Sequence, residues 1–460
     1  MGNKNRSTTP ASNAFAEYIG SQWAERVDAP PTLRDSARFA ADRRARLGAA
    51  FAGKRIVIAA GDEKVRANDT MYPYRADSDF CWLTGWGSDA EPGSILVLEP
   101  VEGSATHVAT LYFRAPAGRD SDEFYANPAI GEFWIGPRPS LATVSGELGI
   151  ATRDLSALAE LDASVLKTPE RHNPKDLRQV LSEMRLIKDD YEVSQMRLAI
   201  EATSRGFGDI ARVLPLIAGN PRGERIIEGA FASRARLEGN DVGYGTIAAA
   251  GEHACILHWV KNDGIVKANE LVLIDAGVEL DSYYTADITR TLPVSGRFSP
   301  VQRQVYEAVR EAADAAFAVV KPGVTFSEVH KTAMSVIARK TAEWGFLPVS
   351  AEESLETDKQ YHRRYMVHGT SHHLGLDVHD CAAARREMYM DGIITPGMIF
   401  TIEPGLYFQP DDLTVPAEFR GIGVRIEDDI LVTESGAENL SASIPRTADD
   451  VEAWMAQFAR

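Results

Sequence analysis

Glu270-Leu-Val-Leu-Ile-Asp275-Ala-Gly277 and Ser282-Tyr-Tyr-Thr-Ala-Asp287-Ile-Thr-Arg-Thr291 decide the fold of the second half of this chain. The first is an apolar run ending at a turn, and the second reads as the strand that returns beside it. A hairpin turning near Asp281 sets Asp275 directly opposite Asp287, close enough on one face to share a ligand. An aspartate at a strand end is ordinarily a turn residue. Asp275, however, closes a hydrophobic run, where an unpaired charge is costly.

Working outward, a second strand pair carries glutamates. Met398-Ile-Phe-Thr-Ile-Glu403-Pro-Gly405 ends in a turn signal, and Gly423-Val-Arg425-Ile-Glu427-Asp-Asp-Ile430 is the other strand. Arg425 and Glu427 are two apart and share a face. An arginine there either orients a carboxylate or meets substrate. The acids after Glu427 read as a solvated face. The segment Val367–Asp380 holds His368, His372, His373 and His379, four of the chain's ten histidines. His258, in the apolar Cys255-Ile-Leu-His258-Trp259, is either a core residue or a site residue. Four carboxylates and one imidazole make an oxygen-rich site whose charge balances two divalent cations. Two-metal sites activate a water at neutral pH and hold an amide or phosphoryl group for attack.

Five stretches, CILHW (255–259), IDAGVELDSYYTADITRTLPVSG (274–296), VHGTSHHLGLDVHD (367–380), GMIFTIEPGLY (397–407) and FRGIGVRIEDDILVT (419–433), together resemble aminopeptidase P, of the pita-bread metallopeptidases. The likeness extends to YRADSDFCWLTG (74–85) and to the tail Glu438–Ser443. The resemblance implies Asp275, Asp287, His372, Glu403 and Glu427 as ligands of two divalent metal ions per subunit, with Mn²⁺ the expected pair. It implies His258, His368 and His379 as substrate-contacting histidines and Arg425 as an active-site arginine. Glu403 is the candidate proton shuttle, and Asp79 the candidate partner for a free amine. Family tetramers place a neighbouring subunit's tryptophan at the site mouth, and Trp134 is the candidate here. The loop between the two aspartates is one residue longer than in much of the family. The function implied is release of an N-terminal residue from peptides with proline second, by a homo-oligomer (dimer or tetramer). The rivals are prolidase, which shares the ligands but is confined to Xaa-Pro dipeptides, and a catalytically silent binding module. The stretch Leu406–Arg420 and the tail near Asn439 look more like aminopeptidase P than prolidase.

At 460 residues the chain exceeds one ordinary core, and 44% hydrophobic with 25% charged residues is a globular composition. A formal net charge of −17 disfavours nucleic acid as a partner. Three cysteines without a CxxC fit a reducing compartment, so the expected location is the cytoplasm. No run of about 18 apolar residues spans a membrane, and the start lacks a signal core and the myristoylation pattern. The fold class expected is α/β (α+β). A flexible segment 1–30 precedes an N-terminal mixed α/β domain, 31–185, and a catalytic pita-bread domain, 186–460. In the N-terminal domain Arg34–Phe51 reads as a helix, and Arg55–Ala60, Phe80–Thr84, Ser94–Leu98 and Thr110–Arg114 as strands. A long amphipathic helix follows Arg185–Lys188. Capping boxes at Ser299–Gln302 and Thr325–Glu328 open two later helices.

Overall fold

The computed structural model describes residues 8–26, 28–160 and 175–458. The absence of a signal core or myristoylation pattern at residues 1–7 is a reading outside the described residues. The chain divides into two compact units, Met1–Leu177 and Arg178–Arg460. The division falls inside the helix Lys175–Arg185, ahead of the Arg185–Lys188 boundary read from the sequence. The end of that helix is tied to the second unit, where Arg185 pairs with Asp380 at 2.5 Å and Asp377 at 2.8 Å.

The first unit carries a four-stranded sheet in the order Ile56–Ala59, Ile95–Pro100, His107–Phe113, Ala151–Asp154. The first two pairings are antiparallel and the last is parallel. Phe80–Thr84 is not the expected strand but lies in the helix Ser78–Thr84. The Asp77 carboxylate accepts from the Asp79 and Phe80 amides, and Gly85, at φ 72°, closes the other end in the left-handed region. Over so short an apolar run periodicity does not separate helix from strand, and the caps decide. The segment expected to be flexible contains the helix Asn13–Gly20, opened by the Ser12 hydroxyl.

In the second unit the long helix Asp190–Ile217 starts from a capping box that sequence reading passed over, Asp189 with Glu192. It packs on the helix Gly223–Glu238, and the helix Pro300–Val319 packs on Phe326–Glu343. The Ser299–Gln302 capping box forms as read. Thr325 is an N-cap by position, but its side chain makes no cap bond, so the second box is incomplete. Beside these helices lie antiparallel sheets ordered Ile288–Pro293, Leu271–Ala276, Ile247–Ala250 and Ile399–Ile402, Asp428–Val432, Ala437–Asn439, with a ribbon of Gly405–Tyr407 and Gly423–Arg425. Both strands of the central hairpin are buried at every position; Leu271–Ala276 reads as an apolar run, whereas Ile288–Pro293 buries Thr289, Arg290 and Thr291.

The hairpin register differs from expectation. Asp275 pairs with Thr289, not Asp287. The turn is wider than a two-residue loop, with Tyr283 at φ 68° and fully buried. Asp275 and Asp287 are therefore diagonal neighbours, still within reach across one face. All three cysteines are buried and form no disulfide. Among the described residues no helix is long and apolar enough to cross a membrane.

Gly277 permits the close crossing of this hairpin: a Cβ there would lie 1.6 Å from the Ala286 carbonyl oxygen. Gly277→Ala should therefore cost at least ~3 kcal/mol, the upper end of overpacking penalties. Denaturant unfolding followed by tryptophan fluorescence should show it, and an unchanged midpoint would show that the hairpin can spread.

Candidate metal centre

Backbone pairing brings the carboxylates together. Ile402 pairs with Asp428 and Gly405 with Arg425, which is one continuous register interrupted at the site. Glu403 and Glu427 thus face each other across the break. Their amides bond elsewhere: Glu403 N donates to Thr370 O at 2.8 Å, and Glu427 N donates to Thr289 O at 3.1 Å. The first bond, with Thr401 N to His372 O at 2.9 Å, lays the histidine segment beside the glutamates. The second joins Glu427 to the residue opposite Asp275.

A cavity of about 300 Å³ results, lined by Leu257, His258, Asp275, Asp287, His368, Gly369, Ser371, His372, His379, Glu403, Arg425 and Glu427. Donor atoms of Asp287, His372 and Glu427 lie within 4.8 Å of one another. His372 Nε2 is 3.2 Å from Asp287 Oδ2, 3.8 Å from Glu403 Oε1 and 4.0 Å from Glu427 Oε1. His258 and His379 are exposed at the cavity wall, so His258 is not a core residue. Asp79 and Trp134 belong to the other unit. There Asp79 is buried in the helix Ser78–Thr84, and the Trp134 indole N–H donates to Tyr125 O at 2.8 Å.

The electrostatics are those of crowded, buried acids. Burial, then the neighbouring Asp287 and Glu403 charges, raises the Glu427 carboxyl well above its ordinary range. Burial pushes Glu403 up to about 7 despite His372 and Arg425. Burial raises Asp275 too, against the opposing pull of Arg425. Burial alone disfavours the charged form of His372, but the Asp287 hydrogen bond and the surrounding acids lift it to about 9. Burial, with Arg425 nearby, holds His368 neutral, down to about 3. Asp428 and Asp429 are buried, not the solvated face read from the acidic run. Asp428 pairs with Arg290 and Arg446, each at 2.7 Å, and Asp429 Oδ2 accepts from the Asp287 amide at 3.2 Å. So much carboxylate around so little positive charge fits divalent cations and little else.

Arg425 donates to Asp275 Oδ2, to Thr289 Oγ1 at 3.1 Å and to Tyr407 OH at 3.2 Å. Thr289 in turn donates to Glu427 Oε2 at 2.6 Å. Sequence reading missed two tyrosines. Tyr407 OH lies 2.7 Å from His368 Nε2. The Tyr244 hydroxyl sits between Asp275 Oδ1, at 2.7 Å, and Asp287 Oδ1. Tyr407 lies in a quoted stretch and had a signal, whereas Tyr244 has none.

Residues 194–434 match the family described as Metallopeptidase family M24, and residues 40–172 match the Aminopeptidase P, N-terminal domain. The chain belongs to the aminopeptidase P family of metallopeptidases. Among its relatives, Xaa-Pro aminopeptidase 1 of Streptomyces coelicolor is 47% identical over 465 residues, covering 97% of this chain and 92% of that protein. The Xaa-Pro aminopeptidase of Escherichia coli is 33% identical over 429 residues, 88% of this chain and 94% of its own. Two solved structures superpose along nearly the full length. Pseudomonas aeruginosa aminopeptidase PepP has a TM-score of 0.79 at 32% identity, covering 93% of this chain and 99% of that one. Zn-substituted E. coli aminopeptidase P in complex with product has a TM-score of 0.79 at 30% identity, covering 93% and 100%. The fold is thus the aminopeptidase P arrangement, an N-terminal mixed α/β domain followed by a pita-bread domain, and the enzyme is a metal-binding hydrolase.

In metal-free protein Glu403 holds its proton more tightly than the unfolded chain does between the ordinary 4.5 and about 7. His372 does the same between 6.5 and about 9. Folded-state proton excess means stability falls as pH rises through both windows. A divalent metal held in this cavity would displace those protons, so the rise in Tm on adding Mn²⁺ should grow from about pH 5 to about pH 8. Thermal unfolding with chelator and with metal measures it; a pH-independent rise would contradict this picture.

Proposed function

We propose that this enzyme binds two divalent metal ions through Asp275, Asp287, His372, Glu403 and Glu427 and releases the N-terminal residue from peptides with proline second. The observation that carries the reading is the convergence of four carboxylates and four imidazoles, His372 in closest reach of the acids, on a single cavity. Two such ions supply an activated water at neutral pH and polarise the scissile carbonyl. The protein's own residues do the rest. Glu403, facing both His372 and His368, takes the water's proton and returns it to the prolyl nitrogen as the bond breaks. His379 and His258 donate to the carbonyl oxygen as negative charge develops there, an effect worth ~3 kcal/mol per donor. His368 and the Arg425–Tyr407 pair wall the proline pocket.

Elemental analysis of Mn²⁺-loaded protein should find two ions per subunit; one or none would overturn the dinuclear reading. Asp287→Asn should cut turnover by at least ~100-fold, the upper end of losses at metal-site partners. His379→Ala should lower kcat and kcat/KM alike with metal retained, since a transition-state donor acts on both; loss of metal would instead make His379 a ligand. Xaa-Pro-Yaa tripeptides and longer substrates should turn over better than Xaa-Pro dipeptides. The opposite order favours prolidase and leaves the site assignments standing.

A further inference from the structure

Glu224 is fully buried in the first turn of the helix Gly223–Glu238, where the helix N-terminus favours negative charge. Its carboxylate accepts four hydrogen bonds. Oε1 receives Ala250 N at 2.8 Å and His253 Nδ1 at 2.8 Å. Oε2 receives the Trp259 indole N–H at 2.9 Å and Gly264 N at 2.6 Å. The His253 ring stacks on Trp259 with centroids 3.9 Å apart. A Cβ on Gly264 would lie 2.7 Å from the Glu224 carboxylate, so the chain has closed tightly onto the acid. All four donors belong to residues 250–264, the segment that carries Leu257 and His258 into the cavity wall. Asn262, also fully buried, clips the same segment to Thr246 O at 2.9 Å.

We propose that Glu224 is a positioning residue: through the Trp259 indole it fixes the neighbouring His258 where a substrate carbonyl meets it. A buried carboxylate satisfied four times from one loop holds that loop to one geometry, because releasing any donor leaves a polar group unpaired. The inference rests on the peptidase reading of the cavity.

The test is a double-mutant cycle on the metal-loaded, full-length enzyme. Glu224→Gln puts an amide N–H against these donors. It should lower kcat roughly 10- to 100-fold with KM little changed, while metal content stays at the native level. In a His258→Ala background it should cost nothing more, and Glu224→Asp should restore part of the loss. Losses that multiply, or full activity in Glu224→Gln, overturn the proposal. If Glu224→Gln does not fold, Trp259→Phe removes a single donor and must show the same non-additivity with His258→Ala. Amide hydrogen exchange supplies a readout independent of turnover. It should rise in residues 250–264 of Glu224→Gln, and unchanged exchange overturns the inference even in a protein without peptidase activity. If His258→Ala turns over like the native enzyme, His258 is no substrate contact and this inference falls, while the metal site and peptidase reading stand.

Discussion

Buried negative charge is the constraint around which the second unit is organised. Asp275, Asp287 and Glu427 are almost wholly inside the protein, with Glu403 beside them. Among the described residues, only Arg425 and His372 bring positive charge against them at close range. Isolated ionised groups in such a place would cost many kcal/mol. Protons or cations must fill the deficit, and the raised carboxyl values of Glu403 and Glu427 are the protonic form of that demand. The surrounding hydrogen bonds keep the acids from escaping. Arg425 and Tyr244 hold Asp275, Tyr244 also reaches Asp287, and Thr289 holds Glu427, while Tyr407 accepts from Arg425 and so steadies the guanidinium.

The backbone does the coarse placement and side-chain bonds the fine. Three chain segments far apart in sequence meet because the amides of Glu403 and Glu427 donate to Thr370 and Thr289 rather than to each other's strand. Tyr244 then refines the geometry. One hydroxyl carries one proton, so it can serve Asp275 or Asp287 but not both at once, and the two aspartates are inequivalent.

Much of this was legible in the sequence. Asp275 and Glu403 each close an apolar run, the histidines cluster in one segment, and the motifs stand in the order of a known family. What was not legible depends on remote partners. Asp428 and Asp429 read as solvated because Arg290 and Arg446, which balance Asp428, and the Asp287 amide, which donates to Asp429, lie elsewhere in the chain. Tyr244 and Glu224 carry no local signature, and only the fold gives them their neighbours. The hairpin register slipped by two because Tyr283 takes a left-handed backbone conformation that a bulky residue seldom adopts. Phe80–Thr84 was misread because its caps, and not its apolar run, carry the information.

The shared register on either side of the glutamate break has a consequence for how this site can vary. Removing one residue from a flanking strand would turn the side chains that follow on that strand to the other face, and the glutamate it carries would leave the cavity and its opposite number. The connection from Gln409 to Arg420 is under no such rule. Its base is clamped, with Phe408 N donating to Ile422 O at 2.9 Å and Gly421 N to Phe408 O at 2.7 Å. The chain beyond that clamp carries none of the cavity's carboxylates, so a change in its length turns none of them to the other face. The architecture separates a frame whose length is fixed to the residue from a loop whose length is open to change.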